Sequence, residues 1–201
     1  MQTKPSAHLD LGCGASPRNP YGRSLLYGID IRDDLDGYKQ DNFIITKADL
    51  ALEKIPFEDN FFSSVSAFDF LEHIPRQIYI DREQKIIYPF IQLMNEIWRV
   101  LAPGGIFLAS TPGYPSAAAF ADPTHVNFIT DTTHQYFCSN TPSGRMYEFH
   151  GEFIAHIAKF TDTLNVEKMP QVLWRSRIRD FSRKFSKTGL QHIVWEFEAV
   201  K

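Results

Sequence analysis

The chain has 201 residues, with 21 Lys and Arg against 24 Asp and Glu, a formal net charge of −3. At 43% hydrophobic and 22% charged it has the make-up of a globular domain, which excludes wholesale disorder. The acid–base balance excludes a general nucleic-acid binder, which would be strongly basic. A single domain spanning 1–201 is expected.

The N-terminus runs Met1-Gln2-Thr3-Lys4-Pro5-Ser6-Ala7-His8 straight into Leu9-Asp10-Leu11, without the charged head and apolar run of a signal peptide. No stretch has the length and apolarity of a membrane span. Two cysteines, Cys13 and Cys138, are too few for a disulfide framework or a cysteine-rich zinc site. A reducing, cytoplasmic setting is expected.

In chain order, short apolar runs alternate with Gly-, Pro- and Asp-rich stretches. Ala7–Leu11 ends in Gly12-Cys13-Gly14, and Leu25–Ile31 contains Asp30. Phe43–Thr46 leads into Ala48-Asp49-Leu50, and Ser64–Phe70 and Gly105–Ser110 follow. Short buried runs at this spacing read as parallel strands. Between the last two, residues 82–101 place Ile86, Ile87, Phe90, Ile91, Met94, Ile97, Trp98 and Leu101 at helical steps. Pro89 inside that stretch either starts the helix or kinks it. Thr111–Asp131 reads as a long ordered loop. Gln191–Val200 alternates as a last, antiparallel strand at or near a sheet edge.

Gly12-Cys13-Gly14 after a strand allows a tight turn and close approach of a ligand. Ala15 stands where a dinucleotide motif has its third glycine, and Ser16-Pro17-Arg18-Asn19-Pro20 does not look helical, so a pyrophosphate cradle is poorly supported. Asp10, Asp30 and Asp49 fall near the ends of three successive strands. That is where ligands of open α/β sheets bind, and a carboxylate suits ribose hydroxyls and exocyclic amines because it only accepts.

The succession His8-Leu9-Asp10-Leu11-Gly12-Cys13-Gly14, Tyr27-Gly28-Ile29-Asp30-Ile31 and Ala48-Asp49-Leu50 resembles the motifs of class I S-adenosylmethionine-dependent methyltransferases, of the small bacterial methyltransferase-11-like type. Phe68-Asp69-Phe70-Leu71-Glu72-His73-Ile74 and Asn95-Glu96-Ile97-Trp98-Arg99-Val100-Leu101-Ala102-Pro103-Gly104-Gly105 continue the likeness over about the first 115 residues. The resemblance implies an α/β, Rossmann-like three-layer sandwich: a mostly parallel seven-stranded sheet with an antiparallel last strand.

It further implies S-adenosyl-L-methionine as cofactor. Gly12, Cys13 and Gly14 would lie along its methionine part and ribose, and Asp10 would hold the amino group or the turn. Asp30 would take the ribose hydroxyls, with Ile31 against the adenine. Asp49 would meet the adenine amine, with Leu50 on the ring, and Phe68 would line the methionine side. The chain starts almost at the first strand, so loops after the fifth strand, or a partner chain in a homodimer, would supply the cover, or the site would stay open.

The reaction implied is methyl transfer to a small-molecule or glycan acceptor, at oxygen or nitrogen. The alternatives are a non-catalytic relative that binds cofactor or a partner chain and, further off, an NAD-dependent oxidoreductase. Candidates for a base are Asp69, Glu72, His73, His125 and His134, with His73 and His125 foremost because histidine titrates near neutrality. His125 lies in Asp122-Pro123-Thr124-His125-Val126, which resembles a stretch of small bacterial methyltransferases associated with sugars. Asp122, His125 and His134 could chelate, but the clustered carboxylates of a magnesium site are missing, and no metal is expected. Last, Arg175, Arg177, Arg179, Arg183, Lys184 and Lys187 stand against Asp180 alone, interleaved with apolar residues. Arg175–Lys187 would suit an anionic contact or simply form a solvated basic face.

Overall fold

A computed structural model describes residues 6–40, 42–138, 140–161 and 191–201. The basic segment Arg175–Lys187 lies outside the described residues.

Among the described residues an eight-stranded sheet organises the chain. Its strands are β1 (Ala7–Leu11), β2 (Leu25–Asp30), β3 (Lys39–Gln40), β4 (Phe43–Lys47), β5 (Phe62–Phe68), β8 (Leu101–Pro112), β9 (Phe153–Thr161) and β10 (His192–Ala199). A separate hairpin pairs β6 (Ile78–Ile80) with β7 (Lys85–Ile87). The sheet order is β3-β4-β2-β1-β5-β8-β10-β9. β4, β2, β1, β5 and β8 run parallel; β10 runs antiparallel to both its neighbours, and β3 antiparallel to β4.

The Rossmann-like class therefore holds, with eight strands where seven were expected. The extra one is the two-residue β3, folded back on β4. The last strand is antiparallel as expected, and lies one place in from the edge, covered by β9.

The helix of the crossover is α1 (Pro89–Val100), with Pro89 in its first turn. There the missing N–H costs nothing, because the first amides of a helix have no intrahelical partner. Of the two readings of Pro89, the one in which it starts the helix holds, and the residues from 82 to 87 belong instead to the hairpin of residues 78–87. α1 buries Phe90, Leu93, Met94, Ile97 and Val100, and Trp98 donates from Nε1 to the Val200 carbonyl at 2.9 Å. A four-residue α2 (Ala118–Ala121) follows β8. The links β1–β2, β2–β4 and β4–β5 carry no α-helix among the described residues.

Strand alternation divides the sheet into two chemically different faces. On the α1 side, Leu9, Leu11, Val65, Ala67, Phe107, Ala109, Ile193, Trp195 and Phe197 form the main core. On the other side Phe68, Leu108 and Val194 form a small apolar cluster, with Tyr21 and Ile157 against it. In the middle of that face lies a group that is polar and still buried: His8, Asp10, Ser64 and Ser66 are each at most 2% exposed. Burial without water requires each to find a hydrogen bond, and their partners prove to be one another.

Candidate functional site

β1 and β5 are neighbours at the point where the strand order reverses, and their carboxyl ends open the crevice in which such sheets bind ligands. Gly12 and Gly14 both have positive φ, 64° and 56°, the conformation that glycine alone adopts without strain. A Cβ at Gly12 would stand 2.5 Å from Phe70 Cδ2, whereas one at Gly14 would meet nothing within 4 Å. The Gly14 side of the turn is open. Cys13 turns inward against Gly28, and burial pushes its thiol up to about 12, so it stays protonated.

Asp10 is 2% exposed. Its Oδ2 accepts the Arg18 amide at 2.8 Å and its Oδ1 accepts the Ser66 hydroxyl at 2.5 Å. Burial lifts its carboxyl to about 6 against these bonds. Beneath it the bonds run in one direction. Since Ser66 spends its proton on Asp10, its Oγ accepts from His8 Nε2 at 2.8 Å. His8 Nδ1 therefore accepts from Ser64 Oγ at 2.8 Å, and Ser64 accepts from Arg23 Nε at 3.3 Å. His8 is held neutral, its imidazole pushed down to about 3 by burial first and by Arg23 second. Asp10 thus ties the segment after Gly14 to β1 and β5.

Asp30 closes the turn from β2. Its Oδ2 accepts the Gly14 amide at 2.8 Å and its Oδ1 the Arg32 amide at 3.1 Å. Each oxygen retains a second lone pair. Ile31 beside it is 60% exposed, an apolar side chain without cover. Asp49 Oδ1 accepts the Ala51 amide at 3.0 Å, while Leu50 is packed into the core.

A cavity of about 240 Å³ lies against Asp10, Gly12, Cys13, Ala15, Ser16, Arg18 and Phe68. Arg18, with its guanidinium 4.7 Å above the Phe68 ring, is the cationic side chain of that cavity. It was not singled out in sequence, because its Pro-rich surroundings hide where it lands.

After β5 the chain turns sharply. Asp69 has φ 50°, unusual for a residue with a side chain. Its Oδ1 accepts from His192 Nε2 at 2.9 Å. His192, at the start of β10, is a residue that sequence order gave no reason to pair with Asp69. Glu72 and His73 follow in a single 3-10 turn (Leu71–His73).

The structure brings the two foremost base candidates together. The Glu72 carbonyl accepts the amides of Val126 and Asn127, both at 2.9 Å. Buried Asn127 donates to the Leu71 carbonyl at 3.1 Å and accepts from Arg76 Nε at 2.9 Å. These bonds dock the loop of residues 122–127 on the turn after β5, and the rings of His73 and His125 meet edge to face, 4.9 Å between centroids. His134 lies apart, bonded to the Asp131 carbonyl at 2.8 Å.

The methyltransferase-domain family profile matches residues 9–109, half of the chain, from β1 into β8. The chain belongs to the methyltransferase domain family. This methyltransferase uses S-adenosylmethionine.

The methyltransferase superposes over its whole length on a chain of the complex between the Haloferax volcanii Trm112 methyltransferase activator and a methyltransferase. That match has TM-score 0.60 and 14% identity and covers 86% of the other chain. It is also similar to the SAM-dependent methyltransferase from Archaeoglobus fulgidus (TM-score 0.54, 15% identity, 96% and 85% of the two chains). A third likeness is to the YcgJ protein from Bacillus subtilis (TM-score 0.54, 15% identity, 98% and 93%). At these identities the likeness concerns the fold. No curated protein matches the methyltransferase.

The cofactor's chemistry fits the residues present. The open face of Gly14, the remaining lone pairs of Asp30, the uncovered Ile31 and the cavity under Arg18 lie along the ends of β1, β2 and β5. By contrast, the segment after Gly14 forms turns without a helix, so the helix N-terminus that a pyrophosphate needs is missing there. Among the described residues no helix is long and apolar enough to cross a membrane.

Proposed function

We propose that the acceptor is a small molecule or glycan carrying a hydroxyl or amine, methylated at oxygen or nitrogen. The observation that carries this reading is a second cavity of about 610 Å³, whose lining includes Tyr88, Tyr136, Tyr147, Thr130, Thr132, Thr133 and Arg76. Aromatic faces with hydroxyl donors and one guanidinium suit a polar ring such as a sugar. Arg76 ties this cavity to Asn127, two residues beyond His125.

Bound S-adenosylmethionine supplies a sulfonium methyl for in-line displacement, and the protein contributes position. Asp30 holds the ribose hydroxyls and Asp49 the adenine amine, with Ile31 against the ring. Gly12, Cys13 and Gly14 lend backbone along the methionine. Arg18 is placed to take the methionine carboxylate, and Phe68 forms the floor. Leu50, buried in the core, supports this wall from behind. Among the described residues the Nδ1 atoms of His73 and His125 are bonded to Thr124 Oγ1 and the Ala119 carbonyl, while neither Nε2 makes a hydrogen bond. Either nitrogen can take the proton that an alcohol or ammonium acceptor gives up.

The test is transfer of labelled methyl from S-adenosylmethionine to a panel of glycosides, sugar phosphates and small phenols or amines. A labelled product whose KM rises in Tyr136→Ala supports the reading. Binding of S-adenosylhomocysteine without transfer to any member would refute it in favour of a non-catalytic relative.

A further inference from the structure

Three donors of different side chains converge where the turn after β5 meets the loop after α2. The potential ligand atoms of Glu72, His73 and His125 all lie within 4.8 Å of one another. Glu72 is 1% exposed. Its Oε2 accepts the Thr111 hydroxyl at 2.9 Å, but Oε1 is buried with no hydrogen-bond partner among the described residues and lies 4.0 Å from His125 Nε2. A buried carboxylate oxygen left unbonded is costly, and in native proteins it calls for a reason.

Both imidazoles are prepared in the tautomer that a metal requires. His125 Nδ1 donates to the Ala119 carbonyl at 3.2 Å, which leaves a lone pair on Nε2. Thr124 commits its hydroxyl proton to Asp122 Oδ1 at 2.7 Å, so His73 Nδ1 is the donor in its 3.0 Å bond to Thr124 Oγ1. That too frees Nε2. Fixing a ligand histidine by a second hydrogen bond on its other nitrogen is the usual support of a metal site. The chain Asp122–Thr124–His73 supplies a carboxylate at its far end.

We propose that Glu72, His73 and His125 form a binding site for one divalent transition-metal ion of the zinc, iron or cobalt kind. Two imidazoles and one carboxylate select such ions over magnesium and calcium, which take oxygen ligands. Metal–ligand bonds of about 2.0–2.2 Å bring such donors to roughly 3–3.6 Å apart, so side-chain rotations of about 1 Å close the site. The expectation of no metal had weighed Asp122, His125 and His134. The acid that matters is Glu72, in another loop, and Asp122 acts one bond further out. Three protein donors leave coordination positions open. With both Nε2 atoms on the metal neither histidine acts as the base, and an open position would instead take the acceptor oxygen and lower its pKa; metal binding itself does not depend on the methyl-transfer reading.

Chelator-treated protein titrated with cobalt(II) should develop visible d–d absorption saturating at one equivalent. In Glu72→Gln and His125→Asn the cobalt affinity should fall at least tenfold. Calorimetric titration of the same variants with S-adenosylhomocysteine should stay within about threefold of the parent, so that loss of metal and failure of the cofactor reading are told apart. If Glu72→Gln loses its circular dichroism spectrum, His73→Asn takes its place. Absence of cobalt bands in the parent, or equal cobalt affinity in the folded variants, would overturn the proposal.

Discussion

Replacing Ser66 by alanine severs the buried hydrogen-bond chain at its centre. Ser66 Oγ both donates to Asp10 Oδ1 and accepts from His8 Nε2, and neither partner has solvent within reach, at 2% and 0% exposure. Stranding a buried donor costs about 1–3 kcal/mol, and stranding an ionised acceptor more. The Asp10 carboxylate keeps its bond to the Arg18 amide, which limits its share. A total of about 3 kcal/mol follows. With a urea m-value of about 2 kcal/mol/M, the unfolding midpoint should drop by about 1.5 M. Ser63→Ala is the matched control, because Ser63 Oγ is equally buried but makes one bond, to the Ala7 carbonyl at 3.1 Å. Its cost should be about 1 kcal/mol. Equilibrium urea unfolding of the two variants and the parent at pH 7.5 decides the matter. Ser66→Ala no less stable than Ser63→Ala would show that the chain is not a connected unit.

The same chain sets a pH response. His8 stays neutral in the fold until about pH 3 but takes a proton near 6.5 when unfolded, so its contribution is lost as pH falls below 6.5. Asp10 takes a proton at about 6 in the fold and at 3.8 unfolded, so its contribution grows as pH falls below 6. Each slope is about 1.4 kcal/mol per pH unit, and between pH 6 and 4 they oppose. Asp10→Asn should remove the compensation, so that its stability falls from pH 6 to 4.5 about 2 kcal/mol more steeply than the parent's; parallel curves would contradict this. Asp30→Ala should weaken S-adenosylhomocysteine binding by about a hundredfold or more, from two charge-assisted bonds of about 1.5–3 kcal/mol each; calorimetry showing a change under twofold would remove Asp30 from the ribose. Arg99 makes bonds to the Ile55 and Phe57 carbonyls, Asp59 and both oxygens of Glu96. Arg99→Lys cannot reproduce that fork and should lower stability by about 2 kcal/mol, read in the same urea experiment.

Elements that announce themselves by local pattern were legible in the sequence. The runs around Leu9, Ile29, Ile45 and Val65 could be read as strands because each is a short run with buried apolar residues, bounded by Gly, Pro, Asp or Asn. The last strand showed in the alternation of Ile193, Trp195 and Phe197. Asp10, Asp30 and Asp49 could be placed because each sits at or just beyond a recognisable strand. What required tertiary structure was not legible. The hairpin of residues 78–87 shares its apolar spacing with a helix, and only pairing of Ile78 with Ile87 separates the two readings. The bond between Asp69 and His192 joins residues with no local relation. His73 and His125 each drew notice alone, yet their meeting depends on Asn127 and the Glu72 carbonyl, neither of which carries a sequence signature for docking.

The position of β10 bears on how the sheet is assembled during synthesis. β9 joins the sheet through β10, and β10 follows every other described element in the chain. A ribosome releases residues in order, so β8 presents an unsatisfied edge, and β9 has no strand to pair with, until β10 emerges. Trp195 and Phe197, on the face packed against the main core, arrive only with that final strand. Both thus join the core only when β10 pairs with both β8 and β9. That interval, more than the finished fold, is when the chain is exposed to mispairing and to chaperones.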